Sequence, residues 1–196
     1  MNELTDEQLM ERLQQGQTVA IDELYRRYAK KLYVFCDHAT RSEHAQDLVQ
    51  DVFMRVIKSA HTFDPEKASF RTWAFRIARN RCIDAARRRN RIRFLSLDRE
   101  PEDDQPALQE TLADEEQNVV RSAARTATAQ AVRDCIQALR NESQKRALLL
   151  YYLSGKVYQE IGEVLGKSTS TARNWVQAAL VEVKRCLEAW GIHDSI

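Results

Sequence analysis

Residues 48–57 carry apolar side chains at the spacing of one helix face, and this pattern most strongly limits the fold. The apolar positions are Leu48, Val49, Val52, Phe53, Val56 and Ile57. A similar spacing runs through residues 21–39 and through the second half of the chain. Glycine and proline, which favour tight turns, number only 5 and 3 among 196 residues. These features predict an all-α protein.

A sharp change of composition divides the chain. The segment 99–118 holds eight acidic residues together with Pro101 and Pro106. Such a stretch has too little apolar surface to form a core and is typical of a flexible acidic linker. We therefore predict two small helical domains, at residues 1–96 and 119–196, joined by a linker at 97–118.

Capping residues place several helix ends. Thr5 begins a first helix, and Asn141 or Ser143 begins a helix in the second domain. A short helix from Tyr158 is closed by Gly166, and Ser168 or Thr169 caps a final helix running to about Trp190. Helix, tight turn and longer helix are typical of a helix-turn-helix, although a plain helical hairpin gives the same pattern.

Residues 71–93 contain nine arginines and one acid, Asp84, in a chain whose overall charge is +1. A local charge of +8 favours a polyanion partner, and Phe70, Trp73 and Phe75 offer rings beside the cations for stacking on exposed bases. At helical spacing, one face of this helix points to the core, namely Phe70, Trp73, Ala74, Ile77, Ala78 and Ala85. Four other side chains share a stripe beside this apolar face. They are Arg76, Asn80, Ile83 and Arg87. A solvated basic face is the alternative interpretation.

The helix at about 42–60 has a polar face opposite its apolar one. Its members are Asp47, Gln50, Asp51, Met54, Arg55 and Lys58. Periodicity alone leaves two interpretations open, an ordinary solvated surface and a docking face for a partner.

The four cysteines, at positions 36, 82, 135 and 186, lie far apart in the sequence and near no histidine at metal-ligand spacing. We expect buried reduced thiols rather than a disulfide or a metal site. The histidines form no catalytic spacing and no glycine-rich phosphate loop occurs, so neither an enzyme nor a cofactor is expected. No apolar run of membrane length and no signal peptide is visible, which favours a cytoplasmic protein without membrane insertion.

Residues 47–89, DLVQDVFMRVIKSAHTFDPEKASFRTWAFRIARNRCIDAARRR, resemble region 2 of the extracytoplasmic-function (group 4) sigma factors of bacterial RNA polymerase. Residues 139–168, LRNESQKRALLLYYLSGKVYQEIGEVLGKS, resemble region 4 of the same family. The resemblance implies a subunit that binds core polymerase, through its clamp helices and flap, and directs promoter recognition and melting. The family also implies a probable anti-sigma factor as partner.

The resemblance assigns roles residue by residue. The polymerase-docking positions are Asp47, Gln50, Asp51 and Arg55. The positions that face the −10 promoter DNA are Asp64, Lys67, Ser69, Phe70, Arg76, Asn80, Ile83, Arg87, Arg88 and Arg89. The positions that face the −35 duplex are Ser170, Thr171, Arg173, Asn174 and Gln177.

The final helix departs from the family pattern. Trp175 stands where an arginine is usual, and residues 143–196 carry seven cations and five acids, a net charge of only +2. Weak charge reduces phosphate contacts and their salt dependence. The weak charge leaves open a sigma-like protein that binds polymerase or an inhibitor but not DNA. A helix-turn-helix regulator that acts without polymerase is the other alternative, which the sequence disfavours because it would need a strongly basic recognition helix and would not need the Asp47/Asp51 face.

Overall fold

The computed structural model describes residues 4–40, 45–95, 119–155 and 157–192, with the backbone alone at 89–90, 92–95 and 119–127. Within these ranges the chain is helical and contains no β-strand, as the sequence predicts. The helices are α1 (Asp6–Gln14), α2 (Val19–Thr40), α3 (Ala45–Ser59), a 3-10 turn (Ala60–Thr62), α4 (Phe70–Leu95), α5 (Val119–Ala138), α6 (Glu142–Leu153), α7 (Tyr158–Leu165) and α8 (Thr169–Ala189). The predicted linker, 97–118, and residues 42–44 of the predicted third helix lie outside the described residues.

Helices α1–α4 form the N-terminal domain. Thr5 caps α1 through a capping box with Gln8, as predicted, because its hydroxyl accepts the Gln8 N–H and the Gln8 side chain accepts the Thr5 N–H. The apolar faces of α2, α3 and α4 pack against one another around a buried core. Ile57 was predicted on the apolar face but is 43% exposed, because it lies at the edge of that face.

The aromatic residues of α4 correct one prediction. Phe70 and Phe75 are fully buried, and their rings pack edge-to-face against Tyr28 and Phe35. Trp73 is half-buried and lies against Phe63. The helical phase turns these rings away from the arginines and into the core, so the predicted stacking platform beside the cations is absent from the described residues.

Helices α5–α8 form the C-terminal domain. Asn141 caps α6 with its side chain, and Gly166 ends α7 in the left-handed conformation at φ 65°. Ser168 begins α8 by accepting the Thr171 N–H at 3.1 Å. A Cβ atom on Gly162 would lie 2.7 Å from the Lys167 carbonyl oxygen, so the turn between α7 and α8 is too tight for any side chain at that position.

The cysteines give a second correction. Cys135 on α5 and Cys186 on α8 form a disulfide, whereas reduced thiols were expected. The sequence separates them by 51 residues, and only the packing of α5 along α8 brings the two sulfurs together. Cys36 and Cys82 are free and buried, as predicted. Their mutual hydrogen bond, together with burial, raises the pKa of the Cys36 thiol.

The two domains also contact each other. α7 packs along the first turns of α4, and α6 packs against α2. Between α2 and α6, the His38 ring nitrogen Nδ1 lies 2.8 Å from the Gln137 side-chain amide. Burial lowers the pKa of His38, which keeps the ring neutral at this contact.

Candidate nucleic-acid interface

Residues 63–69, here called the α3–α4 loop, form a compact turn. Asp64 folds it by accepting the Glu66 N–H at 3.0 Å on its side chain and the Lys67 N–H at 3.1 Å on its carbonyl oxygen. The Gln14 amide reaches over from α1 and donates to the Ala60 and Phe63 carbonyls, both at 2.9 Å. The loop therefore has a fixed shape and is held to α1.

A local ion pair sets the charge of this loop. Lys67 Nζ lies 2.7 Å from Asp64, and this contact lowers the pKa of the carboxyl and raises that of the ammonium. The Lys67 side chain is 82% exposed, so its charge remains available to a ligand. Ser69 ends the loop, and its hydroxyl oxygen accepts the Thr72 N–H at 3.2 Å to cap α4.

The predicted stripe of α4 faces solvent. Arg76, Asn80 and Arg87 are exposed and Ile83 is half-buried. Arg88 is also exposed, and the Arg89 side chain lies outside the described part of α4. The helix thus presents cations and one side-chain amide along a single surface. Phe70, which the resemblance placed in the same set, is a correction, because its ring lies in the core and cannot meet a base in this conformation.

The polar face of α3 lies beside this surface. Asp47, Gln50, Asp51 and Arg55 are all exposed. Arg81 of α4 donates to the Asp51 carboxylate at 2.7 Å, and both side chains remain about half exposed. The ion pair joins α3 to α4, and the N-terminal domain therefore carries a mixed-charge face and a basic face side by side.

The outward face of α8 is polar but weakly charged. Ser170, Asn174 and Gln177 are exposed, and Arg173 lies over the Tyr158 ring at 5.7 Å. Two predicted positions, Thr171 and Gln177, also take part in contacts within the C-terminal domain. The Thr171 hydroxyl lies 2.8 Å from that of Ser168, within the helix cap.

The Gln177 amide donates to the Tyr158 hydroxyl at 3.3 Å. Trp175 packs against the core of the C-terminal domain.

Sequence reasoning missed the groups that approach the α3–α4 loop from the C-terminal domain. Glu160 of α7 accepts from the Ser69 hydroxyl at 3.3 Å, and the Arg71 guanidinium donates to the Ser154 carbonyl. Sequence reasoning also missed a buried cation within the C-terminal domain. Lys145, fully buried on α6, donates to the Gln137 carbonyl at 3.1 Å. Helical periodicity carries no signal for pairs as distant as 69 and 160.

The described residues contain no cluster of three or more potential metal ligands. Over the same part of the chain, every helix is too short or too polar to cross a membrane. The surfaces described above present cations, amides and hydroxyls.

Comparison with known proteins gives two family matches. Residues 24–92 match the model for Sigma-70 region 2, and residues 129–183 match the model for Sigma-70, region 4. The chain is 28% identical over 178 residues to the ECF RNA polymerase sigma factor SigM of Bacillus subtilis (strain 168), covering 90% of this chain and 100% of SigM.

Two solved structures share the fold. CnrH in complex with the cytosolic domain of CnrY matches with a TM-score of 0.65 and 23% identity, over 97% of this chain and 99% of CnrH. The sigma factor RpoE in complex with the anti-sigma factor NepR from Bartonella quintana matches with a TM-score of 0.67 and 21% identity, over 87% of this chain and 98% of RpoE.

Proposed function

Because this chain belongs to the extracytoplasmic-function sigma factors of bacterial RNA polymerase, we propose a division of labour among its surfaces. Residues 1–96 dock on core polymerase and recognise and melt the −10 element, residues 119–196 contact the −35 element, and residues 97–118 link them. The observation that carries the proposal is the placement of the exposed α3 face beside the exposed cationic stripe of α4 within the Sigma-70 region 2 match.

Promoter melting requires a site that binds an unstacked base better than a paired one. The α3–α4 loop is suited to this role, since Asp64 fixes its turn and leaves Lys67 and the backbone near an exposed edge. Asn80 supplies an amide able to pair with a base edge, while Arg76 and Arg87 bind the strand. The free energy for melting comes from binding the open state more tightly than the duplex.

Docking on the clamp helices uses the α3 face. Asp47 and Asp51 meet cationic side chains of the partner, and Gln50 and Arg55 extend the contact. Arg81 holds Asp51 in position through their ion pair. The flap of polymerase contacts the C-terminal domain, which places α8 near the −35 duplex.

On α8, Arg173, Asn174 and Gln177 are the exposed groups that can reach a major groove, with Ser170 at its N-terminal end. The low charge of this region predicts a shallow salt dependence for the −35 contact. The protein acts in the cytoplasm, binds no cofactor and catalyses no reaction of its own. An anti-sigma factor is its regulator. This proposal is supported by the likeness to CnrH, which was solved in complex with the cytosolic domain of CnrY, and to RpoE, which was solved in complex with the anti-sigma factor NepR.

Reconstituted transcription tests the whole proposal. Core polymerase, the full chain and fragmented genomic DNA from the source bacterium are combined, and the transcripts are sequenced. Discrete start sites that vanish without the chain are expected, with a shared −10 element upstream. Polymerase binding without initiation at any promoter would instead favour a sigma-like protein that binds polymerase but not DNA. Failure to bind polymerase would overturn the function.

Asp51→Arg tests the docking face. Charge reversal at the centre of this face is expected to weaken polymerase binding on the order of 10–100-fold, measured by fluorescence anisotropy without DNA. Arg81→Gln is the matched control, because it breaks the same ion pair and leaves Asp51 on the face. Equal loss in both variants would show that docking depends on the ion pair rather than on the charge that Asp51 presents to the partner.

Asn80→Ala tests base recognition. Removing the amide is expected to cost about 1–3 kcal/mol of discrimination between −10 sequences, with polymerase affinity unchanged. The measurement is open-complex formation on promoters that differ at single −10 positions. Asp84→Ala is the control, since Asp84 is exposed on the same helix outside the stripe. Unaltered sequence preference in Asn80→Ala would remove this residue from the recognition surface.

A further inference from the structure

We propose that Tyr158, the first residue of α7, is a positioning residue that determines which bases the surface of α8 reads. The inference rests on the function proposed for Gln177 and Arg173. Tyr158 contacts both of these side chains. Its hydroxyl oxygen accepts from the Gln177 amide at 3.3 Å, and the Arg173 guanidinium lies over its ring, 5.7 Å from the centroid.

Tyr158 is itself held by a second tyrosine. The Tyr151 ring of α6 stacks on it, with centroids 5.4 Å apart and an angle of 23° between the planes. A hydrogen bond with Tyr158 raises the pKa of the Tyr151 hydroxyl, so the two side chains also meet through their polar ends. Tyr158 is half-buried, whereas Arg173 and Gln177 are exposed. The tyrosine is therefore the fixed member of each contact, and it restrains two long side chains that have much rotamer freedom to lose.

The backbone fixes the distance between Tyr158 and α8. Ile161 of α7 and Ala172 of α8 are fully buried in the core that the two helices share. In the turn between the helices the Lys167 N–H donates to the Gly162 carbonyl at 2.8 Å, and the turn leaves no room for a Cβ atom on Gly162. The position of the Tyr158 ring relative to α8 is thus set before any duplex binds.

The contact with Tyr158 selects which atom of the Gln177 amide a base meets. A side-chain amide has a donor nitrogen and an acceptor oxygen. Because the nitrogen turns towards Tyr158, the oxygen Oε1 is the atom left to accept from a base edge. In the major groove adenine N6 and cytosine N4 donate, whereas thymine O4 and guanine O6 accept. Gln177 is therefore expected to favour adenine or cytosine at the base that it meets.

The ring of Tyr158 restrains Arg173 in a different way. A guanidinium over an aromatic face is attracted by the ring electrons, and this limits the directions in which it can point. An arginine that pairs with guanine O6 and N7 needs one defined plane, so a restrained guanidinium loses less freedom when it binds. Residues 143–196 have a net charge of only +2, which makes the direction of each cation matter more than in a strongly basic helix.

The test uses holoenzyme, formed from core polymerase and the full chain, on duplex promoters mapped by the transcription experiment. Each −35 position is changed to the other three bases, and binding is measured by competition. Tyr158→Phe removes the hydroxyl and keeps the ring, so it releases Gln177 and leaves Arg173 in place. It is expected to reduce the preference for adenine or cytosine at one position about fivefold, with the other positions unchanged.

Tyr152→Phe is the matched control. It removes a hydroxyl from the neighbouring helix α6, at a side chain that is 52% exposed and has no assigned role in DNA binding. Base preference in this variant is expected to equal that of the wild type. Tyr158→Leu removes the ring as well, and it is expected to lower the preference at a second position, the one that Arg173 meets. An unchanged second position would show that the ring does not direct Arg173.

A double-mutant cycle separates positioning from support of the fold. If Tyr158 acts through Gln177, then Tyr158→Phe should have no further effect on base preference in a chain that already carries Gln177→Ala. NMR of the free chain gives a readout without DNA. The side-chain amide signals of Gln177 should shift in Tyr158→Phe and stay in place in Tyr152→Phe.

Two results would overturn the inference. One is an unchanged base preference in Tyr158→Phe when Gln177→Ala has lost it. The other is additive effects in the cycle, because Tyr158 would then act on the duplex without Gln177. An unchanged preference in Gln177→Ala would instead refute the function proposed for Gln177, while the NMR signals of the free chain would still decide whether Tyr158 holds the amide.

Discussion

The two domains hold their helices together by different chemistry. The N-terminal domain buries large rings, among them Phe35, Phe70 and Phe75, in edge-to-face pairs with centroids 5.1–5.5 Å apart. The fully buried apolar side chains of the C-terminal domain are mainly alanine and branched aliphatic residues, and the rings of Tyr158 and Trp175 are only partly buried against them. Its helices α5 and α8 are joined by a disulfide. Fully buried rings remove more area from water per residue, and a domain whose rings are only partly buried depends more on a covalent link.

The same contrast extends to the surfaces assigned to DNA. α4 concentrates its arginines on an exposed stripe, whereas α8 presents amides, a hydroxyl and Arg173. The domain with the fully buried rings thus also carries the higher density of exposed positive charge. The difference indicates that the surface proposed for the −10 element is suited to holding a melted strand by charge, while the surface proposed for the −35 element is suited to positioning rather than to affinity.

The largest expected effect is the loss of stability of the N-terminal domain when one buried ring is removed. Phe75→Ala is expected to destabilise that domain by about 3–5 kcal/mol, because Phe75 is fully buried against Phe35. Urea-dependent hydrogen exchange resolves the two domains in the full chain. Val19→Ala, at a side chain that is 76% exposed, should change stability by less than about 0.5 kcal/mol. A comparable effect of the two substitutions would contradict the importance of the ring.

Reduction should affect only the C-terminal domain. Opening the Cys135–Cys186 disulfide is expected to cost that domain about 2–4 kcal/mol, since the bond closes a long loop of the unfolded chain. The N-terminal domain, with free Cys36 and Cys82, should unfold at the same urea concentration with and without reductant. The comparison between the domains fails if reductant leaves the C-terminal midpoint unmoved or lowers both midpoints equally.

Removal of a helix cap should lower the stability of each domain by a similar amount. Thr5→Ala in the N-terminal domain and Ser168→Ala in the C-terminal domain are each expected to destabilise their own domain by about 1 kcal/mol. Thermal unfolding of the full chain, with hydrogen exchange to assign the domain, measures both. Thr169→Ala is the control, because Thr169 is exposed and Ser168 is the residue that caps α8. An equal loss at Thr169 would place the cap one residue later.

Acid should weaken the N-terminal domain by a small amount. Hydrogen bonds from Arg26 and then Arg27 lower the pKa of Glu23 from 4.5 to about 2. A depressed carboxyl pKa stabilises the fold above its unfolded value, and this contribution disappears as the pH falls from about 4.5 to 2. Carbon-detected NMR titration should place the Glu23 midpoint in that window. Arg27→Gln should move it upwards, and an unchanged midpoint would show that the contact is absent in solution.

Local chemistry accounts for what the sequence predicted well. The capping roles of Thr5 and Ser168 and the end of α7 at Gly166 depend on residues within three or four positions, so they are readable in the chain. The exposure of Arg76, Asn80 and Arg87 follows from helical spacing in the same way. These predictions concern one helix at a time.

The remainder depends on which helix faces which. Cys135 and Cys186 meet only because α5 lies along α8, and Ser69 meets Glu160 across 91 positions of sequence. Helical spacing placed Phe70 in the core correctly, whereas the predicted stacking role for Phe70 and Phe75 failed, because a ring next to an arginine in sequence points about 100° away from it on a helix.

The disulfide also turns part of the C-terminal domain into a covalent ring. The ring runs from Cys135 to Cys186 and contains the exposed turn at Gly155, all of α6 and α7, and most of α8. A protease that cuts this turn would leave both pieces attached in the oxidised chain, and they would part only on reduction. The redox state of this disulfide thus decides whether cleavage at this turn leaves the two pieces covalently joined or releases a fragment.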